Sequence, residues 1–243
     1  MAERMNSVEI NGSFYALQRR SHFEQWARQV PGDFVFAVKG GRFITHMKKL
    51  SGIETPLANF FASGVLALDQ KLGPILWQLP PNLGFDVERM DAFLTRLPRT
   101  AGSAAKIAAE HDQRVPDDQA LIKATHPNQW VRHVVEVRHE SFRNPEFYEL
   151  LRRHEIALVV ADNPGQWPII TEITTDLMYV RLHGHDQLYA SGYSDRELDE
   201  WAAKINSWAE QGCDVYVYCD NDAKVRAPYD AMGLMDRLGL RST

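Results

Sequence analysis

The chain has 243 residues, of which 44% are apolar and 24% charged, and its formal net charge is −5. This length suits one β/α barrel of ~250 residues, and the composition is that of a globular protein rather than a disordered one. A slightly acidic chain without a run of five like charges argues against a general nucleic-acid or membrane surface. We expect a cytoplasmic protein, because no segment approaches the roughly 20 apolar residues of a membrane span and no secretory signal is recognisable. Cys213 and Cys219 are expected to be thiols in a reducing compartment.

Seven short apolar runs predict β-strands, because each is rich in aliphatic and aromatic residues and most end at a turn-forming residue. In chain order these runs are Val8–Ile10, Phe34–Lys39, Ile75–Leu79, Val134–Arg138, Ala157–Ala161, Met178–His183 and Val215–Cys219. Helical patterns lie between most of them, at Ser21–Gln29, Met90–Leu97, Pro145–Arg153 and Arg196–Glu210. Asn144 before Pro145 predicts one helix start, and Ser194 with Glu197 forms a capping box that predicts another.

Strands that alternate with helices predict an α/β protein with parallel strands. We expect a TIM-type β/α barrel in a single domain over residues 1–243, with seven strands visible. A doubly wound sheet is the alternative, but no Gly-x-Gly-x-x-Gly loop follows any strand and polar residues end nearly all of them. Residues 162–176 are too interrupted by Pro and Gly for a helix, which predicts a loop over the site.

Charged and polar side chains fall on one face of several strands, because side chains alternate faces along a strand. The residues that share this face or end a strand beside it are Glu9, Asn11, Lys39, Glu136, Arg138, Asp162, Arg181 and His183. In a barrel they would point inward near the C-terminal mouth. Charges there are costly unless they are paired or meet a ligand.

This charged set has two interpretations. One is an internal salt-bridge network, in which Glu9, Glu136 and Asp162 are neutralised by Lys39, Arg138 and Arg181. The other is a site for an anionic ligand, because His46 and His183 tip the balance towards positive charge and arginine binds oxyanions bidentately. If Arg181 is solvated in such a site, Arg181→Ala should lower the free energy of unfolding by no more than ~1–2 kcal/mol, whereas a buried network would lose several.

Three other patterns have competing readings. His183 and His185 could hold a metal with the carboxylates, but the adjacent Arg181 repels a cation, so we expect no metal. Loop aromatics either clamp a ligand ring or pack locally; the candidates are Tyr15, Trp167, Tyr189 and Tyr193. The Asp220-Asn221-Asp222 run is either turn chemistry or part of the site.

Seven motifs carry a resemblance to a known family. In chain order they read VEINGSFY, FAVKGGRFITH, LWQLPPN, EVRHESF, VVADNPGQWP, YVRLHG and YVYCDND. Together they resemble the bacterial family called domain of unknown function seventy-two, the YecE-like proteins, over essentially the whole chain. The resemblance implies a TIM-type barrel with a polar cavity at one end, and no established reaction. It points to Glu9, Asn11, Tyr15, Lys39, His46, Glu136, Arg138, His139, Arg181, His183 and Asn221.

The chain departs from that family in two places. Cys219-Asp220 stands where the family usually has Phe-Asn, which leaves the role of Asp220 open. A Gly-Thr-Ser-Gly-Trp-like first strand is also missing, and Met1–Ser7 resembles the last turn of the helix that would follow it. We therefore expect the first β/α unit to be absent and Val8–Ile10 to pair on one side only.

The expected function is an enzyme, a hydrolase or a lyase, that acts on a small phosphorylated or carboxylated substrate by acid–base chemistry at the C-terminal face. The expected catalytic residues are Glu9, Glu136, Asp162 and His183. The expected substrate-binding residues are Asn11, Tyr15, Lys39, His46, Arg138, His139, Arg181 and Asn221. Alternatives are a non-catalytic small-molecule binding protein, a metal-dependent nucleic-acid hydrolase, and a glycosidase, which the density of arginine disfavours. Cofactors and oligomeric state stay open.

Overall fold

The computed structural model describes residues 4–240. The chain divides into two compact units, Met1–Val134 and Val135–Thr243, and the boundary falls within the fourth strand. Strands and helices alternate in both units. The single-domain organisation stays a prediction.

All seven predicted strands are confirmed, with ends that differ by at most a few residues. They are β1 Ser7–Ile10, β2 Val35–Lys39, β3 Leu72–Gln78, β4 His133–Glu136, β5 Ala157–Asp162, β6 Leu177–Leu182 and β7 Asp214–Cys219. The sheet order follows the chain order from β1 to β7. The pairings β1–β2, β2–β3, β5–β6 and β6–β7 are parallel. A doubly wound sheet reverses its order at a switch point, so this order confirms the predicted α/β class of TIM type.

The helices include all four predicted ones and several that were not predicted. They are α1 Gly12–Tyr15, α2 Arg20–Arg28, α3 Glu54–Ala62, α4 Val87–Arg96, α5 Ala101–Ala108, α6 Pro145–Arg153, α7 Asp195–Glu210 and α8 Ala227–Arg237. A π-helix covers Phe43–Met47, and 3-10 helices cover Val65–Lys71, Glu140–Phe142 and Asp222–Lys224. Among the described residues, none of these helices combines the length and the apolar character that crossing a membrane requires.

Both predicted helix starts are confirmed by side-chain hydrogen bonds. The Asn144 side chain accepts from the backbone N–H of Glu146 at 2.9 Å, with Pro145 in the first turn. Ser194 N–H donates to Glu197 Oε2 at 2.7 Å, and Glu197 N–H donates to Ser194 Oγ at 3.4 Å. Each cap satisfies backbone N–H groups that the helix itself leaves without acceptors.

The first unit is packed around Trp77 on β3, which is fully buried. Its indole N–H donates to Nδ1 of His133 at 3.1 Å, and Nε2 of His133 in turn lies 2.8 Å from the carbonyl oxygen of Pro98. Burial lowers the pKa of His133 to about 4. His133 is therefore a neutral core residue whose two ring nitrogens are both used.

Gly40 lies directly against the Trp77 ring. A Cβ at this position would be 2.3 Å from the nearest ring carbon, so no larger residue fits without displacing the indole. The Gly40 N–H also donates to the carbonyl of Leu76 at 2.8 Å, which ties the end of β2 to β3. Gly40, the first of the two glycines after Lys39, is thus required by its packing against Trp77.

In the second unit, β6 separates an apolar face from a charged one. Val180 and Leu182 belong to a core cluster that also contains Trp201 and Ile205 of α7. Arg181 lies between Val180 and Leu182 in the strand, so its side chain leaves the opposite face of the sheet. In the register of the three strands, Arg181 stands between Ala161 of β5 and Tyr218 of β7.

The predicted irregular connection after β5 is confirmed, since residues 163–176 contain neither helix nor strand. Asn163 organises its first turn. Its Oδ1 accepts from the N–H groups of Gln166 at 2.6 Å and Trp167 at 3.1 Å, and its Nδ2 donates to the carbonyl of Trp167 at 3.1 Å. This asparagine therefore determines where Trp167 lies.

The interpretation of Met1–Ser7 as a helix end is wrong for the part that can be described. Met1–Glu3 lie outside the described residues, residues 4–6 form a turn and irregular chain, and Ser7 already belongs to β1. In the sheet order β1 stands at one end and pairs with β2, from Ser7 opposite Val35 to Ile10 opposite Val38. The absence of a preceding β/α unit stays a prediction.

Candidate functional site

A buried ion-pair cluster surrounds Glu136 at the end of β4, and we call its members Glu136, Arg138, Arg181, His183 and Asp220 the Glu136 cluster. Glu136 Oε1 accepts from Nε of Arg138 at 2.8 Å, and Oε2 accepts from Nη1 of Arg181 at 2.8 Å. The side chains of Glu136 and Arg181 are 0% exposed, and that of Arg138 is 13% exposed. The expectation that Arg181 is solvated is therefore wrong, and the buried-network interpretation describes its pairing with Glu136.

Arg181 also reaches a second carboxylate. Its Nη2 donates to Oδ2 of Asp220 at 2.9 Å. Asp220 follows β7 directly, and its N–H donates to the carbonyl of Leu182 at 2.8 Å, so the β6–β7 register carries it to the side of Arg181. From the sequence, Asp220 could be either a turn residue or part of the site. The signal for this pair was a carboxylate at the end of the strand beside Arg181.

His183 follows β6 and lies two residues from Arg181, so both side chains share a face. It is fully buried. Its Nε2 lies 3.4 Å from Nη1 of Arg181 and 3.9 Å from Oε1 of Glu136. Its Nδ1 lies 3.0 Å from Oδ2 of Asp220, but off the line of a hydrogen bond, so this nitrogen has no hydrogen-bond partner among the described residues.

Two loop aromatics enclose the cluster, and both contact members of it. The Trp167 and Tyr189 rings are each 5.4 Å from the His183 ring, in edge-to-face arrangement. The Arg138 guanidinium carbon lies 4.0 Å from the Trp167 ring centroid, a cation–π contact, and Nη2 of Arg138 donates to the Tyr189 hydroxyl at 3.2 Å. Both aromatics therefore pack against Arg138 and His183. Their role as a clamp for a ligand ring stays a prediction.

Within the described residues, two N–H groups lack acceptors where Arg138 contacts Trp167. Nε1 of Trp167 is buried without a hydrogen-bond partner among residues 4–240. Arg138 uses Nε and Nη2, and within the same residues its Nη1 has none. Burial works to lower the pKa of Arg138, but the Glu136 carboxylate and Tyr189 outweigh it and raise that pKa. The guanidinium thus stays charged, with donor capacity left over.

Asp162, at the end of β5, binds a tyrosine hydroxyl. The Tyr193 hydroxyl donates to Oδ2 of Asp162 at 2.7 Å and accepts from the N–H of Gly184 at 3.2 Å. Burial and the Asp162 carboxylate together raise the pKa of Tyr193, which therefore stays protonated. Gly184 has a φ of 101°, and a Cβ there would lie 2.5 Å from the carbonyl of Gln187, so this turn requires glycine.

Asn221 is fully buried and contacts the loop that contains Ser191. Its Nδ2 donates to Oδ2 of Asp230 at 2.7 Å and to the carbonyl of Ser191 at 2.8 Å, while its Oδ1 lacks a hydrogen-bond partner in the described part of the chain.

Both cysteines are thiols. Burial, and after it Asp230 and two neighbouring aspartates, raise the pKa of Cys219, so its thiol stays protonated at neutral pH.

His139 lies apart from the buried residues. It is exposed, and its Nδ1 accepts from the N–H of Ser141 at 3.2 Å at the start of the 3-10 helix Glu140–Phe142. This contact caps a helix, so a ligand-binding role for His139 stays a prediction that the local geometry does not favour.

The first unit holds a separate group around Phe14 of α1. Nζ of the buried Lys39 lies 4.3 Å from the Phe14 ring centroid, and the His46 and Tyr15 rings each contact that ring edge-to-face at 5.1 Å. Ser13 Oγ lies 2.7 Å from the Lys39 carbonyl and 3.0 Å from the Ile10 carbonyl, which places α1 against the ends of β1 and β2. The structure thus brings Lys39, His46 and Tyr15 together.

Two further predicted residues lie on or just after β1. Asn11 precedes α1 without capping it, and its buried Oδ1 lacks a hydrogen-bond partner among the described residues. Glu9 is half-buried and stands opposite Ala37 in the β1–β2 register. Tyr15 is 71% exposed, so it reaches solvent rather than the core.

No group of three or more His, Cys, Asp or Glu side chains within residues 4–240 has the geometry to hold a metal ion. The arrangement around Glu136 gives a reason, because arginine N–H groups already occupy both of its oxygens. His185, the partner of His183 in the metal interpretation, instead lies 3.0 Å from Glu197.

Parallel strands in chain order, with charged side chains at their C-terminal ends, define an α/β protein of TIM type with a buried ion-pair site. A family model described as "Protein of unknown function DUF72" matches residues 1–243. The chain belongs to the DUF72 family, which confirms the family resemblance of the sequence.

Individual relatives agree with this assignment. The UPF0759 protein YunF of Bacillus subtilis (strain 168) is 23% identical over 252 residues, covering 89% of this chain and 77% of that protein. The crystal structure of a DUF72 family protein from Enterococcus faecalis V583 matches with a TM-score of 0.77 at 18% identity, covering 100% of this chain and 88% of that one. A second, from Thermotoga maritima MSB8, matches with a TM-score of 0.73 at 25% identity, covering 97% and 85%. These structures share the fold.

Proposed function

We propose that this protein is an enzyme that acts on a small phosphorylated or carboxylated substrate by acid–base chemistry at the C-terminal ends of its strands. The observation that carries the proposal is the pair of N–H groups without acceptors beside Arg138, namely its own Nη1 and Nε1 of Trp167. Nε1 of Trp167 is buried, and a buried donor left without a partner costs about 1–3 kcal/mol. One oxyanion could accept from both groups, because the guanidinium and the indole are stacked at 4.0 Å.

The charge arrangement supports the same role for Arg138. Glu136 and Asp220 already compensate Arg181, which is fully buried, so Arg181 holds the cluster together rather than meeting the ligand. Arg138 is the more accessible cation and has a donor to spare. We therefore assign anion binding to Arg138, positioning to Arg181 and Glu136, and proton transfer to His183.

The other predicted site residues keep roles within this proposal. Asp162 accepts from Tyr193, and Asn221 donates to the carbonyl of Ser191, so both act by holding the loop after β6. The group around Phe14 in the first unit stays a proposed set of substrate contacts, with Lys39 as its cation. The residues kept as proposed contacts there are Glu9, Asn11, Tyr15, Lys39 and His46.

A second candidate is a non-catalytic protein that binds the same anion. It is favoured by the enclosure of the acid–base groups: arginines bind both Glu136 oxygens, and His183 is fully buried. The alternative of a metal-dependent nucleic-acid hydrolase is not supported by an equivalent observation.

Isothermal titration with inorganic phosphate and with acetate tests the proposal. Trp167→Phe removes the indole N–H but keeps an aromatic ring against Arg138, and it should weaken binding by about 5–10-fold, the worth of one hydrogen bond. Arg138→Gln should weaken it at least tenfold. Arg143→Gln, in an exposed pair with Glu140, is the matched control and should leave binding unchanged. Failure of the wild-type protein to bind either anion would refute the site.

Turnover separates the two candidates. Small molecules that co-purify with the native protein can be identified by mass spectrometry after mild denaturation. When the released anion is returned to fresh protein, its conversion supports an enzyme, whereas recovery of the unchanged molecule supports a binding protein.

A further inference from the structure

Asp220 differs from the other members of the Glu136 cluster in exposure. Its side chain is 24% exposed, whereas those of Glu136, Arg181 and His183 are 0% exposed. A single oxygen, Oδ2, lies 2.9 Å from Nη2 of Arg181 and 3.0 Å from Nδ1 of His183. Asp220 is thus the carboxylate that joins the buried arginine and the buried imidazole at the outer side of the cluster.

Arg181 and Asp220 both bear on which nitrogen of His183 carries the proton. Nη1 of Arg181 lies 3.4 Å from Nε2 of His183, and a guanidinium can only donate. In this contact Nε2 is the acceptor, which favours the neutral ring that carries its proton on Nδ1. This tautomer places a donor at Nδ1, 3.0 Å from Oδ2 of Asp220, although the two atoms are not aligned for a hydrogen bond.

We propose that Asp220 is a positioning residue for His183: its carboxylate, together with Arg181, favours the Nδ1–H tautomer, in which Nε2 is the atom that accepts a proton. This inference rests on the proposed acid–base function. When Nε2 takes a proton from a bound ligand, the electron pair stays on the ligand. The resulting imidazolium lies between the carboxylates of Asp220 and Glu136, at 3.0 Å and 3.9 Å. The contact at Nδ1 is misaligned without ligand, and catalytic hydrogen bonds often tighten only when substrate binds.

The tautomer can be read directly by nitrogen-15 NMR on protein labelled at histidine. The His183 ring is assigned by its through-space contacts to the rings of Trp167 and Tyr189. We expect a protonated, pyrrole-type Nδ1 and an unprotonated, pyridine-type Nε2 at neutral pH. An Nε2–H tautomer in the wild-type protein would overturn the inference, and this measurement requires no variant to fold.

Substitution of Asp220 then separates positioning from a purely structural ion pair with Arg181. In Asp220→Asn the share of the Nδ1–H tautomer should fall, because only the Arg181 contact then favours it, and Asp220→Glu should restore that share. Asp222→Asn, on the same loop, is the matched control and should not change the tautomer. An unchanged tautomer in Asp220→Asn would overturn the inference.

Titration of the same samples with inorganic phosphate keeps the two proposals distinct. Loss of phosphate binding in the wild-type protein would count against the proposed function, whatever the tautomer. Phosphate binding together with an Nε2–H tautomer would leave the anion site standing and refute the role of Asp220.

Discussion

Replacing Arg181 by alanine removes the central cation of the Glu136 cluster and should strongly destabilise the protein. In the variant, the Glu136 carboxylate would stay fully buried without its Arg181 partner, and Asp220 would also lose its bond to this arginine. Removing one partner of a buried ion pair costs roughly 3–5 kcal/mol, because the other charge remains desolvated. This is a large share of a total stability of about 5–15 kcal/mol.

Urea denaturation followed by circular dichroism measures this loss. The control is Arg143→Ala, because Arg143 pairs with Glu140 at 2.7 Å but is 48% exposed, and such a surface pair should be worth less than about 1 kcal/mol. The double variant Glu136→Ala/Arg181→Ala should lose less than the sum of the single variants, since the buried charge is then gone. If Arg181→Ala does not fold, Arg181→Lys is the milder test, because an ammonium cannot span both carboxylates as the guanidinium does.

A loss of less than about 2 kcal/mol in Arg181→Ala would refute this reasoning, because a charge that can be removed so easily is solvated. The loss of stability also decides whether weaker phosphate binding in an Arg181 variant reports on the site or on folding. Weaker phosphate binding in an unstable variant reports on folding, so binding by Arg181 variants is informative only after their stability is known.

Two further predictions concern single interactions elsewhere. The pKa of His133 is about 4 in the folded protein against 6.5 for a free histidine, so the unfolded chain binds more protons between these values. Stability should therefore fall by roughly 3 kcal/mol as the pH is lowered from 6.5 to 4, and urea midpoints at several pH values should show a flatter profile in His133→Gln; an equal slope in both proteins would contradict this. Ser194→Ala should cost about 1 kcal/mol, because it removes the cap of α7, and a thermal midpoint equal to that of the wild type would show that the cap is dispensable.

The strands could be predicted because local sequence determines them. Runs such as the one around Val180 alternate apolar and charged residues, and that alternation defines both the strand and its two faces. Helix starts with a side-chain cap, as at Asn144, were predictable for the same reason. By contrast, α3 begins at Glu54 after Ile53, which provides no side-chain cap, and α1 has only 4 residues, so neither carries a strong local signal.

Four members of the Glu136 cluster were predicted from the sequence, but Asp220 and the pairing of the cluster were not. Alternation places Arg181 and His183 on the charged face, yet it does not say which carboxylate each one meets. That depends on the β6–β7 register, which carries Asp220 to Arg181, and on the reach of Arg181 to Glu136 across 45 residues of chain. The expectation of a solvated Arg181 failed for this reason, since burial is a property of the assembled strands.

The protonated thiol of Cys219 makes the rate of its alkylation a measure of local opening in the second unit. Alkylating reagents attack the thiolate, and burial together with the nearby aspartates keeps that form scarce in the folded chain. Modification of Cys219 in native buffer should therefore be slow, and it should speed up when the end of β7 separates from its surroundings. Asp220 is the next residue, so this separation also breaks its contact with Arg181. A faster alkylation rate therefore reports loss of that contact.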